Sequence, residues 1–455
     1  MPATPPLSDA HPRAGQLIRF IQQARDQTFP DEVLQEAKRA LIDYLGVAIG
    51  AVHDPAVKAV RQVALQWQAR GRAQIILGER TAPALAALVN GTMAHAADFD
   101  DTHPAGAGHP SGPCWSTALA LAQARDVTER QVLAAFITGY EIMAKLGGGG
   151  PGGVGRNLQR RGFHPTAIVG RVGAAAVAAS LLGLEDTASA NALGAAATMM
   201  GGLMKSSGTH GKPFHAGKAA MDGIMAAELA QSGFIAAHHF YEPAGWLKSF
   251  IQTGEVEVPP LDLGETWELA SNGYKLYASC RGTHASIETA RALFTRLDGR
   301  EIARVQARVH PMCMINAGNP HPRTPLETKF SVQHCVALAL CGYALGEQDF
   351  TTDHTQDPRA RALLANVEAQ AVEGQAPHAS IIDIWFKNGQ HLRGETAIVR
   401  GHALNPLTLD ELHEKFSRLT VPALGREDSE RLFQAAASFE QPGSLATLTA
   451  LLSGR

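Results

Sequence analysis

No C-x-x-C pair occurs among the five cysteines of this 455-residue chain, Cys114, Cys280, Cys313, Cys335 and Cys341. An odd number of isolated thiols excludes a ready disulfide framework and the usual zinc or iron–sulfur spacings, and it fits a reducing, cytoplasmic setting. Charge is scarce as well. Only 18% of residues are charged and the formal net charge is −3, so nothing draws the chain to nucleic acid or to an anionic membrane. Long hydrophobic runs are missing: VGAAAVAASLLGL (172–184) falls short of the roughly 20 residues a bilayer span needs and reads as a buried helix. In MPATPPLSDAHPR, prolines stand where a signal peptide would need an apolar core, so residues 1–13 read as a disordered lead-in. There is no G-x-x-x-x-G-K-[ST] phosphate loop. GGGGPGGVG (147–155) follows a helical pattern rather than a strand, which argues against a dinucleotide site and for a mobile loop near a pocket.

What the chain has instead is small apolar residues at helical spacing. Segments such as PDEVLQEAKRALIDYLGVAIG, TERQVLAAFITGYEIMAKL and HPTAIVGRVGAAAVAASLLGL repeat apolar positions every three or four residues from about 14 to 250. Their alanines and glycines let helix axes approach closely in a multilayer bundle. Near residue 260 the pattern changes. KLYAS (275–279), IARVQARVH (302–310) and IIDIWF (381–386) read as strands, and the last leads through Asn388-Gly389 into HLRGETAIVR, a hairpin signal. After Pro406 helices resume. The reading is mainly α: an all-helical domain formed by 14–264 and 403–455, and a smaller α+β lid domain over 265–402.

Four polar stretches interrupt this background. In HAADFDDTHPAGAGHPSG (95–112), one helix continuing to Pro104 would put His95, Asp98 and Thr102 on a single face, and the glycines could fold His109 back over it. A carboxylate beside imidazoles is acid–base chemistry. RRGFHPT (160–166) places His164 before a helix N-terminus. GTHGKPFHAGKAA (208–220) crowds Lys212, Lys218, His210 and His215 at another, where cations oppose the helix dipole and imply a partner anion. YKLYASCRGTHASIETA (274–290) carries Lys275 on a strand, then Arg281 and His284 before a helix, a carboxylate or phosphate cradle. The aspartate run lacks the DDxxD spacing and the second acidic cluster of Mg²⁺-dependent isoprenoid synthases, so no metal is expected.

Taken in order, DFDDTHPAGAGHPSG, RRGFHPTA, KPFHAGKAA and KLYASCRGTHASIETA resemble the MmgE/PrpD family, and the resemblance runs over nearly the whole chain, through PRTPLETKFSVQHCVALAL. It implies a helical domain with an α+β lid, a homodimer, no metal or organic cofactor, and a site in the cleft between the domains. Carried over motif by motif, it implies Asp98, Thr102, His109, His164, Lys212 and Lys275. We therefore expect Asp98, His109 and His164 as catalytic groups. Thr102, Lys212, Lys275, Arg281 and His284 are expected to bind the substrate, a small di- or tricarboxylate. Family chemistries of this kind generate negative charge next to a carboxylate, which fixed cations must stabilise. Dehydration of a citrate or 2-methylcitrate type of acid is the leading expectation. Decarboxylation of cis-aconitate, epimerisation of an iminodisuccinate, and a non-catalytic polycarboxylate-binding homologue are the alternatives.

Overall fold

The computed structural model describes residues 12–149, 153–242, 245–251 and 261–454. The first half is helical: α1 (Pro12–Ala24), α2 (Asp31–Gly50), α3 (Pro55–Gln66), α4 (Pro83–Ala96), α5 (Ser111–Ala124), α6 (Glu129–Gly147), α7 (Val154–Arg160), α8 (Pro165–Leu181), α9 (Asp186–Thr198), α10 (Gly211–Gln231) and α11 (Trp246–Ile251). The lead-in expected over 1–13 lies outside the described residues up to residue 11, and α1 already begins at Pro12. α3 was not visible in the apolar periodicity, because only Ala56, Val57 and Ala64 are buried. Its signal was local: Asp54 accepts from the Ala56 amide at 2.7 Å and Pro55 opens the helix.

The layers are centred on α10, which packs against α4, α5, α8 and α9. Glycine makes the tightest of these contacts possible. A Cβ on Gly217 of α10 would stand 2.0 Å from the Leu88 carbonyl of α4, and one on Gly91 would stand 2.8 Å from Gly217 Cα. That close crossing brings Lys212, in the first turn of α10, over the end of α4.

The second half contains α12 (His284–Phe294), α13 (Pro311–Ala317), α14 (Val332–Leu340) and α15 (Pro358–Leu364), with strands β3 (Ile302–Val309), β4 (Val367–Ala371), β5 (Ser380–Phe386) and β6 (His391–Thr396) in the order β4-β3-β5-β6; β1 (Ala73–Gln74) and β2 (Arg80–Thr81) form a separate ribbon in the helical half. β3 pairs in parallel with β4 through Val305↔Val367, while β5 pairs antiparallel with β3 and β6. The expected Asn388-Gly389 turn joins β5 to β6, with Gly389 at φ +82°. KLYAS is not a strand. Amides within and beside it go to three separate loops, the flanking Tyr274 to Gly401 O (2.8 Å), Ala278 to Leu345 O (2.9 Å) and the flanking Cys280 to Lys329 O (2.9 Å). No single neighbour offers it a ladder.

Three last helices, α16 (Leu409–Leu424), α17 (Arg426–Ala437) and α18 (Ser444–Leu451), return to the start of the chain, α16 packing on α2. Among the described residues no single helix is long and apolar enough to cross a membrane.

Candidate active site

The link from α4 to α5 carries the polar stretch at 95–112. α4 stops at Ala96, well before Pro104, so Asp98 and Thr102 do not share a helix face with His95. Asp98 instead takes φ +52°, a left-handed conformation that aspartate tolerates better than most residues. Tertiary backbone pairing then sets Thr102, whose amide donates to Gly273 O at 2.7 Å while its carbonyl accepts from Gly273 N at 2.9 Å. The His109 amide donates to Thr166 Oγ1 at 3.1 Å, tying the far end of the loop to α8.

Buried lysines hold the loop from three directions. Lys329 donates to Ala97 O (2.6 Å), Lys275 to Asp98 O (2.7 Å) and Lys415 to Phe99 O (2.8 Å). Three consecutive carbonyls therefore each face an ammonium from a distant part of the chain. Lys415 also donates to Asp43 Oδ1 at 2.6 Å.

The three aspartates have different fates. Asp98 Oδ1 accepts from Lys212 at 2.6 Å and Lys275 at 2.9 Å. Burial alone would push its carboxyl up, but the two ammoniums outweigh burial and hold it far below the usual range. Asp100 bridges two imidazoles, with Oδ2 2.8 Å from His95 Nδ1 and Oδ1 3.3 Å from His109 Nδ1, and it too stays ionised against burial. Asp101 accepts from Ser111 Oγ at 2.6 Å, and burial beside Asp43 and Asp100 pushes it up to about 8.

A stability prediction follows from Asp101. The folded chain keeps a proton there that the unfolded chain, at the ordinary 3.8, has already lost, so stability falls as pH rises from about 4 to about 8. Glu141, pushed up to about 7 mainly by burial, adds to the same trend. Asp101→Asn, which stays neutral at every pH, is expected to flatten the dependence of the urea midpoint on pH across that window and to be more stable than the wild type at pH 7. A parallel or steeper profile would contradict this account.

Four histidines cluster beside these acids. His95 and His164 stack with ring centroids 5.7 Å apart, and His109 meets His95 at 4.5 Å and His164 at 6.4 Å. His164 Nδ1 lies 3.1 Å from His215 Nδ1, so one of these nitrogens carries the shared proton. Burial first, then the nearby cations, keep all four neutral: His95 is held down to about 3, His215 to about 4, and His109 and His164 below the ordinary value. Nitrogens of His95, His109 and His164 lie within 4.8 Å of one another, close enough to hold a metal ion. The adjoining carboxylates, however, are already engaged by two ammoniums and two imidazoles, a donor set furnished for an anion.

Asp98, His109 and His164 line a cavity of about 370 Å³, with Asp100, Asp101, His95 and His215 behind them. Of the residues expected from sequence, Asp98, Thr102, His109, His164, Lys212 and Arg281 line it. Lys275 and His284 do not. Lys275 is fully buried behind Asp98, and His284 is buried with Nε2 3.2 Å from Ser279 O. The helix dipole argument for Lys218 also ends elsewhere, in an i,i+4 ion pair with Asp222.

Asp100 and Arg156 were missed as site residues. For Asp100 a signal existed, an acid within the same polar run as His95 and His109. Arg156 reaches the wall from α7, just past the glycine run whose residues 150–152 lie outside the described set, and it donates to Pro104 O at 3.0 Å.

Known sequences give the comparison. The profile of the MmgE/PrpD N-terminal domain matches residues 15–259 and that of the MmgE/PrpD C-terminal domain matches 277–441. A cis-aconitate decarboxylase of Homo sapiens is 28% identical over 449 residues, covering 93% of this chain and 91% of the relative. One of Mus musculus is 27% identical, covering 93% and 90%, and one of Aspergillus terreus is 26% identical, covering 85% of each chain.

Proposed function

Because the chain belongs to the MmgE/PrpD family, we propose that it is a lyase that decarboxylates cis-aconitate or a closely similar unsaturated tricarboxylate. The relatives that span nine-tenths of the chain carry that activity in their names, which favours decarboxylation over the dehydration expected from sequence. The observation that carries the reading is the pairing, on one cavity wall, of Lys212 on Asp98 with His109 on Asp100. It supplies a fixed cation and a proton donor. Decarboxylation needs both of these and no base.

In cis-aconitate the departing carboxylate sits on a methylene next to the double bond. As its C–C bond breaks, the electron pair forms a new terminal double bond, and the old double bond's electrons move onto the carbon bearing the other end carboxylate. That carbon takes one proton, giving a methylidene dicarboxylate and CO₂. The charge developing on the retained carboxylate is what Lys212 would meet, with Thr102 beside it, in a site where preorganised charge is worth more than in water. Lys275, which does not line the cavity, fixes Asp98 and balances it.

His109 is our candidate for the proton donor, with His164 as the second. Asp100 Oδ1, 3.3 Å from Nδ1, favours a proton on that nitrogen and leaves Nε2 as the one that titrates. The imidazoles are neutral in the free site, but a bound trianion opposes the effect of burial and of the lysines and raises their proton affinity. Substrate binding should therefore take up a proton, read as a binding enthalpy that varies with the ionisation heat of the buffer. In the same reading residues 265–402 act as a lid over the cavity and the protein works as a homodimer.

The test is to incubate the protein in D₂O with cis-aconitate, citrate, 2-methylcitrate and iminodisuccinate and to follow each by NMR. The expected result is CO₂ loss from cis-aconitate with one deuterium in the product methylene. Water loss from citrate or 2-methylcitrate without decarboxylation would overturn the reading in favour of a dehydratase.

A further inference from the structure

The cavity has a second cationic wall that the reaction above does not use. Lys212 is matched by Asp98, but Arg156 and Arg281, which line the same cavity, form no ion pair with any described residue. Arg156 spends its donors on Pro104 O (3.0 Å) and Gln159 Oε1 (3.0 Å), both neutral. Arg281 donates through Nη1 to Tyr274 O at 3.2 Å, and its Nη2 is buried with no partner. Glu288, the carboxylate that most favours the Arg281 charge, forms no ion pair with it and accepts from the Arg400 amide at 2.9 Å.

The two guanidiniums flank one patch of wall. Arg281 adjoins Cys280 in sequence, a Cβ on the next residue, Gly282, would stand 3.2 Å from Cys313 Cα, and both cysteines line the cavity together with Arg156. His378 and His402, rings 4.6 Å apart, complete this end of the cavity and are held neutral by burial first and Arg281 next. Two partly buried guanidiniums with no carboxylate between them are costly unless a ligand supplies one. Guanidinium is also the group whose planar fork suits a carboxylate.

We propose that Arg281 and Arg156 form a distal carboxylate subsite that anchors the substrate carboxylate taking no part in bond changes, the one on the central carbon. This rests on the decarboxylase reading, which assigns the other two carboxylates to departure and to the Lys212 end. Holding the spectator here leaves the departing carboxylate free of stabilising ion pairs, so the binding energy is not spent on the ground state of the bond that breaks. It also makes the site select three carboxylates over two.

The test uses two unreactive probes that differ only in that group, propane-1,2,3-tricarboxylate and pentanedioate, titrated by calorimetry into the wild type, Arg281→Met and Arg156→Met. The expected result is that each variant binds the tricarboxylate about 10- to 100-fold more weakly, the scale of a lost charged hydrogen bond, and binds pentanedioate within about 3-fold of wild type. Arg281→Lys, which keeps the charge without the fork, should fall between. Equal weakening for both probes, or none for the tricarboxylate, would overturn the subsite. If the wild type binds neither probe, the polycarboxylate reading itself fails, and if cis-aconitate is not decarboxylated while the probes discriminate, the subsite stands without the decarboxylase. Unchanged near-ultraviolet circular dichroism in either arginine variant shows that its binding loss is not unfolding.

Discussion

Asp98→Asn is expected to damage both the fold and the chemistry. Lys275 is 0% exposed and Lys212 is 7% exposed, and Asp98 is the carboxylate that faces both. Asparagine keeps an acceptor but leaves two buried ammoniums without a counter-charge. Breaking a buried pair in this way costs about 3–5 kcal/mol, so the urea midpoint should fall clearly while the slope of the transition is kept. Turnover should fall by more than about 10²-fold. The double variant Asp98→Asn, Lys275→Met separates the two effects: removing the orphaned ammonium should recover part of the lost stability and none of the activity. If the single variant unfolds at the wild-type midpoint, the Asp98 ion pairs are not what stabilises the loop.

The second large effect is expected from His109→Gln, with the opposite balance. His109 lines the cavity and its side chain is 12% exposed, so glutamine fits with little loss of packing. Stability should change by less than about 1 kcal/mol, as for most substitutions outside a core. kcat should fall about 10²- to 10⁴-fold, the contribution of a positioned proton donor. The pH profile tests the role further. A donor must hold its proton, and burial lowers the His109 value in the free protein despite Asp100. Hence kcat/KM should decline as pH rises through a value below the ordinary histidine range near about 6.5. The kcat limb, set in the complex with the anion, should lie higher. Asp100→Asn removes the carboxylate beside Nδ1 that raises His109 and should move both limbs to lower pH. Limbs that ignore Asp100 would transfer the donor role to His164.

Much of the helical half was legible because its residues are small and its periodicity regular, and the β5–β6 hairpin because alternation and Asn-Gly agree. β4 was not visible, since in its five residues no side chain is buried and only its parallel pairing with β3 defines it. In the site, residue types were legible and their placement was not. Asp98, Thr102 and Lys212 reach the cavity, yet Asp98 and Thr102 do not share a helix face with His95. The chain leaves the helix at Ala96, and contacts from residues 273, 275, 329 and 415 then shape the loop, none of which a local pattern can report. Lys275 matched a motif and sat in an apparent strand, so it read as a clamp for the substrate. In the structure it is buried off the cavity wall and donates to Asp98 O and Oδ1. Arg156 was hidden because a glycine run and a short helix carry no sign of the wall they face.

The lysines on the Ala97, Asp98 and Phe99 carbonyls have a consequence for how the protein is made. Lys415 lies 316 residues downstream of the carbonyl it grips. Synthesis runs from the N-terminus, and most helices of the first half can pack as they emerge. The loop bearing Asp98 cannot take its final shape then, because none of the three lysines that fasten it has been translated, and Lys415 comes last. A nascent chain carrying every helix of the first half is thus catalytically silent, and the active centre is switched on only when α16 docks against α2.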